Sequence, residues 1–266
     1  MKKWQNRDVM MVSRSAIGVF VAAITLAPAG ALAGADGDWR SMFDIYGDFR
    51  FRVEQDWDSE RSSGRDRFDR GRLRVRGRLG LKIKPHQAIE LNARVRSGSN
   101  DSQQSPHITI WDWDNNSHGD ADFNFDKWYG KAKNDTFWVW VGRNGLPIWK
   151  QNELLWDDDV TVAGGAVGFA VGLGTGKLKG SAGYAALPDG MDDFHGEVTT
   201  GQLVYSDKIN DIGVTLAGGV VATNGDGSPA DGTATEAPLR RGNWGRDYTI
   251  WVANVQANTK ISDFPL

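Results

Sequence analysis

The sequence contains no cysteine. A disulfide framework, a cysteine-type zinc cluster and a thiol nucleophile are therefore all excluded. It also lacks the repeated apolar runs of about 20 residues that a bundle of membrane helices requires, and its mean hydropathy is −0.46. Histidine is scarce. His86 stands in a turn segment, His107, His118 and His195 stand in loops, and none belongs to an HExxH arrangement or accompanies a GxSxG motif. No nucleophile and base can be nominated from spacing, so a catalytic role is not expected. Against these absences, 40% hydrophobic and 11% aromatic residues make the chain too apolar for disorder. Its 33 glycines in 266 residues, well above the usual share of about 7%, favour strands and turns.

The first 33 residues read as an export leader. Lys2, Lys3, Arg7 and Arg14 precede an apolar run from Ala16 to Ala27, then Pro28 and the small-residue triplet Ala31-Leu32-Ala33. That order of positive, apolar and A-x-A regions is a secretory signal peptide, and the apolar run is too short for a membrane anchor of about 20 residues. Residues 1–33 are the expected leader and 34–266 the expected mature domain. Losing the leader's four basic residues and one acid, Asp8, takes 31 basic and 34 acidic residues to 27 and 33, a formal charge of −6. Export without cysteine suits a protein that crosses the periplasm of a Gram-negative bacterium.

In the mature chain, alternation dominates over helical periodicity. From Arg72 to Lys84 the even positions are almost all cationic and the odd positions almost all apolar. A strand sends successive side chains to opposite faces, whereas a helix would spread the same arginines around its cylinder and bury nothing coherently. Tyr46 to Glu54 repeats the pattern with Phe49, Phe51 and Val53 on one face. Ala88 to Arg96 does so with Ile89, Leu91, Ala93 and Val95. Further strands are expected at 123–133, 136–143, 162–173, 177–186, 196–206, 212–223 and 247–258, which gives ten. Short turns alternate with longer polar connections at 57–66, 97–122, 145–161, 187–195 and 224–246. The expectation is an all-β fold, an antiparallel transmembrane β-barrel with tight turns at one end and long loops at the other.

Residues 50–96 carry fourteen Lys and Arg against seven acids. Like charges at every second position repel unless water or acids screen them, and a water-filled lumen supplies both. Arg50, Arg52, Arg72, Arg74, Arg76, Arg78, Lys82, Arg94 and Arg96 are the expected pore-lining residues. Rings of Lys and Arg favour anions, so anion preference is expected. Nucleic-acid binding, the other use of an Arg run, is at odds with the leader and the apolar opposite face. Trp57, Trp128, Tyr129, Trp138, Trp140, Trp149, Trp156, Trp244, Tyr248 and Trp251 stand near strand ends or in loops, as interfacial girdles require. Glycan stacking by loop tryptophans, in a secreted or surface β-protein, is the alternative reading.

Two loops hold further candidates. Asp112, Asp114, Asn116, Asp120 and Asp122 place oxygens at alternate positions, with His118 among them, as calcium loops place theirs, but the closing glutamate and the usual glycine are missing; a solvated acidic loop is the expectation, with no metal and no cofactor. The connection 145–161 carries Lys150, Glu153, Asp157, Asp158 and Asp159. A loop of that length can fold into a barrel mouth and set its acids opposite the arginine wall as a constriction.

At these residues a resemblance emerges. Tyr46-Gly47-Asp48-Phe49-Arg50-Phe51-Arg52, the run from Asp66 to Arg76, Phe125-Asp126-Lys127-Trp128-Tyr129, Val141-Gly142-Arg143-Asn144 and the stretch Glu153 to Asp159 together resemble the bacterial putative-porin family of outer-membrane proteins. The resemblance spans about Tyr46 to Phe169. It implies an outer-membrane pore for passive diffusion of small hydrophilic solutes or ions, with lipid as its surroundings. A homotrimer is an assembly common among general porins. The last residues, Asn258 to Leu266, read as a turn entering a further strand, so the barrel is expected to be incomplete at the C-terminus.

Overall fold

The computed structural model describes residues 39–225 and 247–259, less 59, 61–63, 67, 101–102, 105, 115–118, 120, 190 and 192. The expected leader, the connection 226–246 with Trp244, and the terminal residues 260–266 lie outside the described residues. After a short 3-10 turn at Trp39–Met42 come β1 (Phe43–Asp56), β2 (Arg70–His86), β3 (Ile89–Ser97), β4 (Ile108–Asp112), β5 (Phe123–Lys133) and β6 (Phe137–Asn144). The order continues with β7 (Val162–Leu173), β8 (Gly176–Asp189), β9 (Asp193–Ile209), β10 (Ile212–Asn224) and β11 (Tyr248–Asn258).

All eleven strands join one antiparallel sheet in chain order, with β4 aside from the main path. The whole length of β1 runs beside β2, from Phe43 opposite Ile83 to Asp56 opposite Arg70. Along its other side β2 meets β3 from Arg78 to His86 and β4 from Arg72 to Val75. β4 therefore occupies the flank that β3 leaves open. β1 and β11 are the two edges, with no pairing between them among the described residues, so the sheet is open. No helix among the described residues is long and apolar enough to cross a membrane, which leaves crossing by strands untouched.

Register divides the side chains as the alternation requires. One face carries Ile45, Phe49, Leu79, Phe125, Trp128, Val141, Val167, Leu203, Trp251 and Val255, all substantially exposed, with Trp251 at 80%. So much bare apolar surface, at roughly 25 cal/mol per Å² of transfer free energy, needs a nonpolar surrounding. The opposite, inner face carries the charges and a small core in which Trp140, Val162, Ala166, Ala185, Val198 and Val221 pack with Trp156 and Val160 from the segment 145–161.

Nine of the ten expected strands recur within a few residues at each end, and the tenth, at 247–258, recurs as β11. The differences have physical causes. β4 is an eleventh strand inside the expected loop 97–122; it is five residues long and is held by the spare flank of β2. The expected loop 187–195 is mostly the tip of a long hairpin, since β8 and β9 pair as far as Asp189 opposite Asp193, across a register shift between Ala186 and Pro188. Proline donates no ladder hydrogen bond, and an irregularity is where a sheet accepts it. Gly142 has φ +127°, and a Cβ there would collide with the Trp128 carbonyl and Tyr129. This kink turns the following Arg143 into the interior, where it is 5% exposed.

Candidate functional site

Strand pairing on the inner face puts Asp48 opposite Arg78, Arg50 opposite Arg76, Arg52 opposite Arg74 and Glu54 opposite Arg72. Each acid can therefore reach several cations, and the two acids organise the wall. Glu54 accepts from Arg52 at 2.9 Å, Arg72 at 2.6 Å and Arg74 at 3.2 Å. Asp48 accepts from Arg76 at 2.7 Å and Arg78 at 2.6 Å. Lys82 stacks over Tyr46, 4.7 Å from the ring centroid, and the Tyr46 hydroxyl is bonded to Asn92.

On β3, Arg94 donates from Nε to Asp126 at 2.9 Å and from a second nitrogen to the other carboxylate oxygen. Asp126 is fully buried. The register shift between Arg94 and Val95 against β5 is what lets Asp126 and its neighbour Lys127 both serve the inner face. Arg96, 1% exposed, donates to the Gln103 carbonyl and to the Met191 sulfur at 3.1 Å; it is enclosed in the wall. Arg50, Lys82, Lys127 and Lys131 have no acid within ion-pair distance among the described residues.

From β6 onward the inner face changes character. Trp138 and Trp140 stand opposite Gly168 and Ala166, and the row continues through Ser181, Gly183, Thr200, Gln202 and Gly219. A Cβ on Gly168 would run into the Trp138 indole. Trp138 and Trp140 therefore face inward and Trp156 is buried, at odds with the girdle expectation, whereas Trp128 and Trp251 face outward.

The segment 145–161 lies along this inner face. Gln202 brackets Trp149, accepting from its N–H at 2.6 Å and donating to its carbonyl at 2.8 Å. Ser181 donates to the Pro147 carbonyl, and Gln151 reaches the Val255 carbonyl on β11. At its far end Asp159 accepts from Arg78 at 2.7 Å and lies 3.5 Å from Arg76. The segment thus runs from the last strand to the arginine wall. Its other acids behave differently. Asp158 pairs with Lys150 at 2.6 Å, and that ammonium holds its carboxyl below the usual range. Asp157 accepts the Asp159 N–H at 2.8 Å and shapes the turn. Glu153 is exposed, and its carboxyl is raised by desolvation and then by a hydrogen bond with Asp158. Between the segment and the cationic wall is a cavity of about 440 Å³ lined by Arg78, Arg94, Lys127, Lys131 and Lys150 on its basic side.

The connection 98–122 closes over the same wall. Arg74 donates to the His107 carbonyl at 3.2 Å. Burial, then the nearby Arg52 and Arg74, push the His107 imidazole down to about 4. Asp112 is buried at the end of β4, and Asp114 accepts from the Gly71 N–H. Asn116, His118 and Asp120 lie outside the described residues. Among the described residues no group of three or more His, Asp or Glu side chains could hold a metal ion.

Asp48, Glu54, Asp126, Lys127 and Lys131 were not among the residues expected at the site. The first two could have been found by laying the strand of residues 46–54 against 72–84, which puts an acid beside each arginine cluster; the bulge that recruits Asp126 and Lys127 leaves no mark in the sequence.

A meander of long antiparallel strands, apolar outward and charged inward, is the wall of a membrane β-barrel channel protein. The family model for the putative porins matches residues 64–208, more than half of the 266 residues, and the chain belongs to that family. Membership carries a porin-type channel role, an outer-membrane setting in contact with lipid, and solute passage. No curated protein matches the chain.

Proposed function

We propose that the chain forms a water-filled passive channel through the outer membrane for small hydrophilic solutes, with a preference for anions. The observation that supports this reading is the pairing of an exposed apolar face with an inner face built on Arg50, Arg52, Arg72, Arg74, Arg76, Arg78, Lys82 and Arg94. Cationic linings favour anions because the field of fixed guanidinium groups replaces part of the lost hydration. Arg96 supports the wall from behind. The segment 145–161 is the constriction: Asp159 anchors it to Arg76 and Arg78 on the wall, and Lys150, Glu153, Asp157 and Asp158 shape the segment itself. In the same proposal, residues 1–33 direct export, residues 34–266 belong to the barrel, and copies associate through their outward faces. Purified full-length chain added to a planar lipid bilayer should produce stepwise increases in conductance. Protein that inserts but conducts nothing would overturn the reading.

A further inference from the structure

The cavity of about 440 Å³ beneath the segment 145–161 is built more specifically than a general anion path. Its volume falls within the range of about 300–1,000 Å³ typical of small-molecule sites. Five basic side chains line it against two acids, Asp157 and Asp158. Three of the five are committed: Arg78 to Asp48 and Asp159, Arg94 to Asp126, and Lys150 to Asp158. Lys127 and Lys131 are not. Both project from β5 onto the inner face, with no acid within ion-pair distance among the described residues.

Apart from Asn144, the other side chains of the lining are apolar or aromatic. Trp140 stands directly across from Lys131, and the Lys131 ammonium lies 5.4 Å from the Trp138 ring. Leu146, Ile148 and Val160 of the segment 145–161 close the opposite side. A small hydrated ion would answer the two free ammonium groups but leave the indole and aliphatic surface without a counterpart. An apolar molecule would take water from two half-buried cations without answering them, which is costly. A planar apolar body carrying a carboxylate satisfies both.

We propose that this cavity binds aromatic carboxylates, the carboxylate on the ammonium groups of Lys127 and Lys131 and the ring against Trp138 and Trp140. The inference rests on the inner face being the anion path and names the solute class that dwells there. The test is titration of the full-length protein in detergent with benzoate, acetate and benzylammonium, read by tryptophan fluorescence, together with block of the chloride current by the same compounds in a bilayer. Benzoate should saturate, and it should bind about tenfold tighter than acetate, because burying its ring adds more than the roughly 1.4 kcal/mol that a factor of ten represents; benzylammonium should neither bind nor block. The double substitution Lys127→Gln and Lys131→Gln should weaken benzoate by about tenfold or more, a loss expected for one charge-assisted hydrogen bond, and Lys127→Arg with Lys131→Arg should restore it. Benzoate no tighter than acetate, or full benzoate affinity in the double glutamine variant, would overturn the site. If that variant does not fold, the three-ligand comparison on the unsubstituted protein decides. A chloride-preferring channel without benzoate binding removes the site and leaves the anion channel standing, whereas a potassium-preferring channel removes the anion reading itself.

Discussion

From β1 to β5 the inner face is dominated by guanidinium, ammonium and carboxylate groups tied across neighbouring strands, whereas from β6 to β11 it is mostly glycine, alanine, serine, threonine, valine and two indoles, with Gln202, the buried Arg143 and Lys177 and Lys179 near one end as exceptions. The outer face is apolar on both halves. Because the two halves share strand geometry and surroundings, the difference lies in what each does to the space inside. The small residues leave room for the segment 145–161 to lie against the wall, and the cations provide its Asp159 with partners. A wall of large charged groups on both halves would leave no bed for the segment, and a neutral wall on both would give its acids nothing to meet.

Five perturbations break or sharpen this contrast. The largest effect should come from the charged half. Asp126→Ala leaves Arg94 partnerless in a site that buries the carboxylate completely, and removing one member of a buried pair costs about 3–5 kcal/mol; the urea midpoint of the folded, heat-modifiable form should fall accordingly. On the neutral half the sensitive quantity is volume. Gly168→Val forces a side chain into the Trp138 indole, and overpacking of this kind costs about 1–3 kcal/mol, measurable by the same unfolding curve. Such a loss should be accompanied by a changed conductance, because the bed of the segment 145–161 shifts.

At the junction of the halves, Asp159→Asn removes one of the two acids that Arg76 and Arg78 share, leaving Asp48, without removing a cation. Stability should change by about 1 kcal/mol or less, because Asp48 still answers both guanidinium groups, while the chloride-to-potassium permeability ratio should rise. Neutralising Arg76 and Arg78 together should lower it.

The smallest effect concerns pH. In the unfolded chain His107 titrates near its ordinary value of about 6.5, and in the folded chain at about 4, so the unfolded state binds more protons between those values and stability falls as pH drops from about 6.5 to 4. His107→Gln should flatten that part of the stability profile and leave the profile above pH 7 unaltered. An unchanged slope would show that His107 is not desolvated by the arginine wall.

How far the sequence announced this architecture depends on which half is considered. β2 was plain in it, because Arg72 to Lys84 alternates so strictly that only a two-faced strand accommodates it, and the acids of β1 follow once the two strands are laid side by side. Trp138 and Trp140 were not, because Phe137-Trp138-Val139-Trp140-Val141 is apolar on both faces and alternation says nothing about which side is inward. The bulge that brings Asp126 under Arg94 depends on pairing between distant strands. β4 is too short to stand out from a polar connection, and Pro188 disguised the extension of β8. Within the segment 145–161 the acidic cluster was visible, yet its division of labour was not: Asp159 meets the arginines, Asp158 is taken by the segment's own Lys150, and Asp157 serves the turn.

The central claim is that the cationic half governs which ions pass. Its most direct test is the zero-current potential of the full-length channel in a planar bilayer separating two potassium chloride concentrations. The account predicts a potential of the sign set by chloride crossing faster than potassium, moving toward zero when Arg76 and Arg78 are both replaced by glutamine. A potential of the opposite sign in the unsubstituted protein would contradict it.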